Sequence, residues 1–489
     1  MTDQQLAQTS MLEPWRWEPL DSLFERVPVR LDSPGPLLAP AHAMTVRRDE
    51  RRGLHLALFL DEDAVGGAEP LPPGTVRRAD DRVEFTSPHG FSGVIDGVIV
   101  RAKKRTTDAV RGVTSRTQNA TCTSIAVEMA GAGPPKHTIE WIDNFQADSF
   151  QWFGSVVEET TDRPTITFGR GEAAITLSAA GDRDSISWRT SGVGLSVGGW
   201  QLYLAVAEHT QPGMRAPGYI VYRGAPDEAV RQKIRDCVSF ALGHHLVYLG
   251  SAVLDEADAL RSFLLVDGNR MGERLFELPP MPPAPLEQWC EGEVDPQTLS
   301  RVVSGLYASS DTLNFRSLSW QYWHAVSAPA HIAAAHYGAA VEALRTAYKE
   351  AHAAKFRTRI VADQARWDAL HAKILAAVDE STLDEDDVKA LIKRKLLHLN
   401  DMPASMVSGQ VFGVLGLEMS ATERKAWRSR NTAAHGSSVK DDAVETIKHA
   451  KLLRMLFHRL LLKMTGGSDA YRDYHTVGHP ARRLEEPVP

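Results

Sequence analysis

At 489 residues with a formal net charge of −7, the chain exceeds one ordinary core and carries no global basic field of a nucleic-acid coat protein. Apolar residues make up 43% and charged residues 24%, which argues against long disorder, collagen-like repeats and a coiled-coil rod. Cys122, Cys237 and Cys290 are far apart and outside any CxxC spacing, so neither a disulfide framework nor a cysteine zinc site is expected.

From about Trp15 to Asp267 the text is strand-like, with short alternating or β-branched runs between Gly, Pro, Asp and Asn. Predicted strands include Leu54 to Leu60, Gly93 to Val100, Ser124 to Val127, Thr165 to Phe168, Ala174 to Leu177 and Trp200 to Val206. Gly66 to Gly74 reads as an exposed loop. One helix interrupts the pattern: Asp227 to Leu242 places Val230, Ile234, Val238 and Leu242 at spacing four, with acids in the first turn. It is expected to pack on a sheet.

The prolines of Leu278 to Pro285 favour an extended spacer, so the boundary is placed there. Beyond it the periods are helical: Pro329 to about Ala353, Ala362 to Val378, Asp384 to Leu399, Ala421 to His435 and Val439 to Met464. In the last of these Ala443, Ile447, Ala450, Leu453, Phe457, Leu460 and Met464 form an apolar stripe, with Lys448, Lys451 and Arg459 off it. The predicted class is α+β. A β-rich, sandwich-like domain (1–277) precedes a proline-rich linker (278–296), an all-α helical bundle (297–475) and a tail (476–489). Met1 to Ser10 is polar and no run approaches the length of a membrane span, so a cytoplasmic protein without membrane contact is expected.

Chemistry concentrates at one helix end. Ser420-Ala-Thr-Glu423 opens a helix as a capping box and Gly436 is a natural left-handed stop; Ser438 with Asp441 opens the next helix. Between these signals lies Arg430-Asn431-Thr432-Ala433-Ala434-His435. Five helical positions separate two side chains by roughly 7.5 Å of rise and about 140° of turn, so this Arg and His do not meet within one chain. A two-fold axis beside the helix would face them with those of a second copy. A permanently charged guanidinium suits the charge developing on phosphorus, and an imidazole gives or takes a proton near neutral pH. RNA supplies its own nucleophile, the 2′-hydroxyl, so no metal or other cofactor is called for; HExxH and calcium-loop patterns are absent. Arg424, Lys425 and Arg428, one or two turns earlier, are candidates for flanking phosphates or a solvated face.

The bare spacing is weak, since Arg366 to His371 repeats it inside a helical period. Context separates the copies: Arg430 is followed by a polar Asn431, small Ala433 and Ala434, and the stop at Gly436. The stretch Arg430-Asn431-Thr432-Ala433-Ala434-His435-Gly436 resembles the R-N-x-x-x-H signature of HEPN domains, and the Apea-like branch is the nearest. The order of parts adds to the resemblance: a long helix with Ala340-Val-Glu342-Ala-Leu344, intermediate helices, the motif, an apolar closing helix and an aromatic tail, Tyr471-Arg-Asp-Tyr474. It covers about Leu299 to Tyr474 and, loosely, the β-rich half.

The resemblance implies a metal-independent endoribonuclease acting as a homodimer, a toxin or an abortive-infection effector of anti-phage defence. It implies that Arg430 stabilises the transition state, His435 serves as general acid or base, and Asn431 orients the substrate or its partner side chain. An activator of phage or cellular origin belongs to the same expectation. Glu342, an acid in an apolar helical stretch, either orients Arg430 across the bundle or stays exposed. The alternative is a non-catalytic dimeric sensor whose β-rich half binds a ligand, a phage protein or nucleic acid. A glycan-binding β protein with a helical appendage rests only on β content and aromatics.

Three other features carry blander expectations. His244 and His245 lack an acid or Cys to complete a metal set. Trp141, Phe145, Phe150, Trp152 and Phe153 read as core or interface aromatics before a base-stacking platform. Arg101-Ala-Lys103-Lys104-Arg105 reads as a solvated loop before a phosphate patch.

Overall fold

Alternation in sequence becomes alternation of burial along Leu54–Leu60: Leu54, Leu56, Leu58 and Leu60 enter a core while His55 stays exposed. The structure, a computed structural model, describes residues 23–31, 40–60, 82–107, 114–145, 156–159, 165–178, 187–189, 192–207, 216–268, 278–287, 294–382, 386–434 and 443–489. Two units make up the chain, Met1–Tyr307 and Ala308–Pro489, the first rich in strands and the second helical.

The first unit is built on a ten-stranded sheet. From edge to edge its strands are Gly192–Val197, Trp200–Val206, Gly218–Arg223, Pro135–Asp143, Val247–Asp255, Leu260–Val266, Ser124–Met129, Phe91–Asp96, Val83–Ser87 and Arg30–Leu31. A five-stranded sheet (Val27–Pro28, Ala41–Arg48, Leu54–Leu60, Thr114–Cys122, Ile99–Thr107) and a four-stranded one (Ile175–Ser178, Thr165–Phe168, Val156–Glu159, Ser187–Arg189) complete it. One apolar cluster runs through all three sheets, with Met44 and Leu56 from the second, Val127 and Leu249 from the first, and Phe168 and Leu177 from the third. The run Gly93 to Val100, expected as one strand, is two strands in different sheets.

Gly97 is the reason. It holds φ +63, and a Cβ there would sit 2.4 Å from Thr123 Oγ1. Thr123 lies where the chain passes back from the five-stranded to the ten-stranded sheet, and its N–H donates to the Asp96 carbonyl at 2.9 Å. The paired crossings therefore need a residue without a Cβ. Gly97→Ala is expected to lower stability by at least ~1–2 kcal/mol from the left-handed backbone alone; urea unfolding checks it, and an unchanged midpoint would rule the crossing out as a constraint.

The expected helix is present as α1, Glu228–Leu242, capped by Asp227, which accepts from Val230 N at 2.8 Å, and closed by Gly243 at φ 70. It packs on the ten-stranded sheet through charge as well as through Ile234 and Val238. Glu140 in the sheet, fully buried, takes Arg235 Nη1 and the Tyr222 hydroxyl (2.9 Å), and Arg231 Nε lies 3.1 Å away. Buried charges persist only when paired in this way. The proline-rich stretch, expected as an extended spacer, is packed against this unit: Ala284 and Leu286 have no exposed surface, and Met281 N donates to Gly243 O at 3.3 Å. Helix α2, Pro296–Ser309, also lies with this unit, where Ser304 Oγ donates to Ser196 O at 3.0 Å.

The second unit holds α3 (Phe315–Ser327), α4 (Ala330–Ala351), α5 (Gln364–Asp379), α6 (Asp386–Leu396), α7 (Ala404–Leu415), α8 (Ala421–Ala434) and α9 (Ala443–Thr465). Helices α3, α8 and α9 pack around α4, whereas α5 and α6 pack on each other and keep most side chains exposed. Helices α2, α3 and α7 are not among the helices expected from sequence.

The apolar stripe of α9 is only part of what is buried. Ile447, expected on the stripe, is exposed, whereas all residues from Leu452 to Leu462 are buried, Arg459 among them. Arg459 enters the core because every side of its guanidinium is occupied. Nη1 reaches Glu423 Oε1 at 2.7 Å, Nη2 donates to the Glu418 and Leu484 carbonyls at 3.0 and 2.9 Å, and Nε donates to Leu484 O at 3.1 Å. Leu484 belongs to a C-terminal segment that folds back through the hairpin Ala470–Arg472 and Ala481–Arg483.

The preceding residue, His458, is fully buried, with Nε2 2.8 Å from the Tyr322 hydroxyl, which accepts from Arg454 Nε at 2.9 Å. Burial, with Arg454 beside it, holds His458 well below the ordinary histidine value. The unfolded chain then takes a proton that the folded chain refuses. This contribution is complete above the ordinary histidine pKa, about 6.5, and is lost as pH falls below it. Urea midpoints measured from pH 7.5 to 5 are expected to fall with pH for the wild type and to fall less for His458→Gln.

Candidate functional site

Helix α8 begins with the expected reciprocal cap: Glu423 N donates to Ser420 Oγ and Ser420 N to Glu423 Oε2, both at 3.0 Å. The second oxygen of the same carboxylate holds Arg459 of α9. That double use fixes the rotation of α8, so that Ala426 is fully buried while Trp427 and Arg430 lie toward α4.

Across from them α4 offers Gly338, Glu342 and Arg345, one turn apart on one face. Arg430 lies over Gly338, where an added Cβ would come within 2.7 Å of Arg430 Cδ. Its Nη2 donates to Glu342 Oε1 at 2.5 Å and its Nη1 to the Trp427 carbonyl at 2.9 Å, and its guanidinium carbon stands 3.5 Å from the centre of the Trp427 ring. Glu342 makes the pairing and also keeps 42% of its side chain exposed. Two of the five N–H donors of Arg430 are thereby engaged, and 20% of the side chain is exposed. The group is held in one orientation yet can reach a ligand.

Arg345 completes the cluster. It is 5% exposed, and its Nη1 approaches Glu342 Oε2 at 3.4 Å, while Nε and Nη1 make no hydrogen bond. Burial draws both guanidinia below the usual arginine value, and the Glu342 carboxylate opposes that. Both remain charged at neutral pH. Beside them opens a cavity of about 350 Å³, lined among others by Arg345, Phe412, Met419, Arg424, Trp427 and Arg428.

The sequence-predicted residues distribute as follows. Arg430 and Glu342 are in contact; Arg424 and Arg428 line the cavity; Lys425 instead reaches Glu445 on α9 at 2.9 Å. Asn431 lies on α8, and nothing is described of its side chain; His435, Gly436 and the Ser438–Asp441 cap lie outside the described residues. Gly338, Arg345 and Trp427 were not singled out from sequence. The signal was spacing, since Trp427 stands three before Arg430, and Gly338 and Arg345 stand four before and three after Glu342.

The other candidates take structural places. Trp367 is buried and stacks on His371 at 5.3 Å, and Arg366 is exposed. Trp141 and Phe145 are buried, whereas Phe150, Trp152 and Phe153 lie outside the described residues, as does the Gly66 to Gly74 loop. Arg101 to Arg105, expected in a loop, forms part of Ile99–Thr107, an exposed edge strand of the five-stranded sheet. Basic side chains on an edge discourage pairing with another strand. Among the described residues Cys122 and Cys237 are free and buried, and no three metal-ligating side chains gather. No helix among the described residues is long and apolar enough to cross a membrane. No protein-family model, curated protein or solved structure matches the chain.

Proposed function

We propose that the chain is a metal-independent endoribonuclease of HEPN type, a toxin or abortive-infection effector that cuts RNA at a composite Arg/His site across a homodimer. The observation that carries the reading is the setting of Arg430: anchored by Glu342 and the Trp427 ring, fitted over Gly338, and still partly open to solvent. Such anchoring aims a permanently charged, planar group at one point, as stabilisation of a phosphorane-like transition state demands. In the proposed reaction the RNA 2′-oxygen attacks phosphorus and the 5′-oxygen leaves. His435 takes the 2′-hydroxyl proton or delivers one to the leaving oxygen, and a 2′,3′-cyclic phosphate and a 5′-hydroxyl result.

One observation favours the second reading, a non-catalytic dimeric binding module. Glu342 neutralises part of the charge of Arg430, as a purely structural clamp between α4 and α8 would. His435→Ala separates the two: in the nuclease, RNA cleavage disappears with the fold intact. In a binding module the substitution changes nothing, because no cleavage existed.

A further inference from the structure

Among the described residues of the helical unit, the buried guanidinium of Arg345 is the charge with the most nitrogens left without a hydrogen bond. Glu342, its one close carboxylate, already holds Arg430 through its other oxygen, and two of the Arg345 nitrogens have no hydrogen-bond acceptor. Leaving buried donors of a charged group unmet is costly, so this is a place where an acceptor belongs. The cavity beside it is lined by two further arginines, Arg424 and Arg428, and by no carboxylate among the described residues. Arg424 spends one nitrogen on the Met419 carbonyl at 2.6 Å, and Arg428 is exposed with no ion pair among the described residues. The other described lining residues are Trp427, Phe412, Met419 and Gly409.

Three arginines around one cavity favour an anion that accepts several hydrogen bonds, and phosphate does so with three oxygens. The aromatic walls and a volume of about 350 Å³ leave room for a planar ring as well, and that volume lies in the ~300–1,000 Å³ range of small-molecule sites. We propose that this cavity binds a nucleoside phosphate, the phosphate on Arg345, Arg424 and Arg428 and the base against Trp427 and Phe412. Trp427 is shared with Arg430, so the ligand lies next to the proposed cleavage centre. That the natural ligand is one nucleotide unit of an RNA strand rests on the RNA-cleavage reading; a free nucleotide offers the same chemistry.

Calorimetric titration of the full chain in EDTA tests this with adenosine 5′-monophosphate, adenosine, inorganic phosphate and a short oligoadenylate. The wild type is expected to bind the monophosphate at least about tenfold more tightly than adenosine or phosphate alone, since each fragment forfeits one wall of the site. Arg345→Gln and Arg428→Glu are expected to weaken binding about tenfold or more, as the loss of charged hydrogen bonds does. Arg394→Glu, an equal charge change on exposed α6, leaves it unaltered. Arg428 is exposed, so its variant stays informative if Arg345→Gln fails to fold.

Tighter binding of the oligomer than of the monophosphate identifies RNA as the source, and the reverse order identifies a free nucleotide. The proposal is overturned by no binding, by phosphate binding as well as the nucleotide, or by binding indifferent to both arginine substitutions. Cleavage is read separately. A protein that binds through Arg345 and Arg428 yet cuts no RNA keeps the site and loses the nuclease reading. One that cuts RNA with an unchanged KM in both variants keeps the nuclease reading and loses the site.

Discussion

Glu423→Ala is expected to lower the stability of the helical unit by about 3–5 kcal/mol, because it strands the buried guanidinium of Arg459. The carboxylate performs two tasks at once. One oxygen closes the capping box at the start of α8, and the other meets Arg459 with neither side chain exposed by more than 1%. Loss of the cap adds roughly 1 kcal/mol. Arg459→Ala is expected to cost as much, since it strands Glu423 and removes the donor that holds the Leu484 and Glu418 carbonyls. Replacing both, as Glu423→Ala with Arg459→Ala, is expected to cost clearly less than the sum of the single changes, because no unpaired charge is left. Urea unfolding of the four proteins gives the comparison. Single costs below about 1 kcal/mol would mean that water reaches the pair and that α8 is not fixed by it.

The second large effect concerns activity. Gly338→Ala changes one hydrogen to a methyl group, and in an open helix that favours folding by up to about 1 kcal/mol. Here the methyl group would come within 2.7 Å of Arg430 Cδ and 3.2 Å of its Cβ. The arginine must shift, and with it the contacts to Glu342 and Trp427. Misplacement of a catalytic group by about 1 Å costs on the order of 10²-fold in rate. Gly338→Ala is therefore expected to lose about two orders of magnitude in kcat, with a melting temperature unchanged or raised. Arg430→Ala, which removes the charge outright, is expected to lose about 10²–10³-fold. An active Gly338→Ala protein would show that the position of Arg430 over α4 is incidental to the chemistry.

How much of this was visible in the sequence depends on whether the determining contact is local. Leu54–Leu60 and the α1 cap at Asp227 were readable because period and cap are written in neighbouring residues. Gly97 was not, because the need for a left-handed glycine arises from Thr123, met only when both sheet crossings fold together. Helix α3 hides behind aromatic residues and an N-cap, Asn314, at φ 49 without a side-chain capping bond. Helix α7 carries two glycines, Gly409 and Gly413, in an apolar run that does not read as one helical face. The same division holds at the site. The Ser420–Glu423 box was legible, but its second partner, Arg459, stands 36 residues away. Arg430 was legible by motif, whereas its contact with Gly338 and the open valences of Arg345 exist only once α4 and α8 are packed.

The proposed RNA cleavage is tested most directly by the fate of cellular RNA incubated with the purified chain in EDTA, beside Arg430→Ala and His435→Ala proteins matched for dimer content. Only the wild type is expected to cut, leaving 2′,3′-cyclic phosphate and 5′-hydroxyl ends. Cleavage that persists in His435→Ala, or fragments ending in 5′-phosphate, would contradict the proposal.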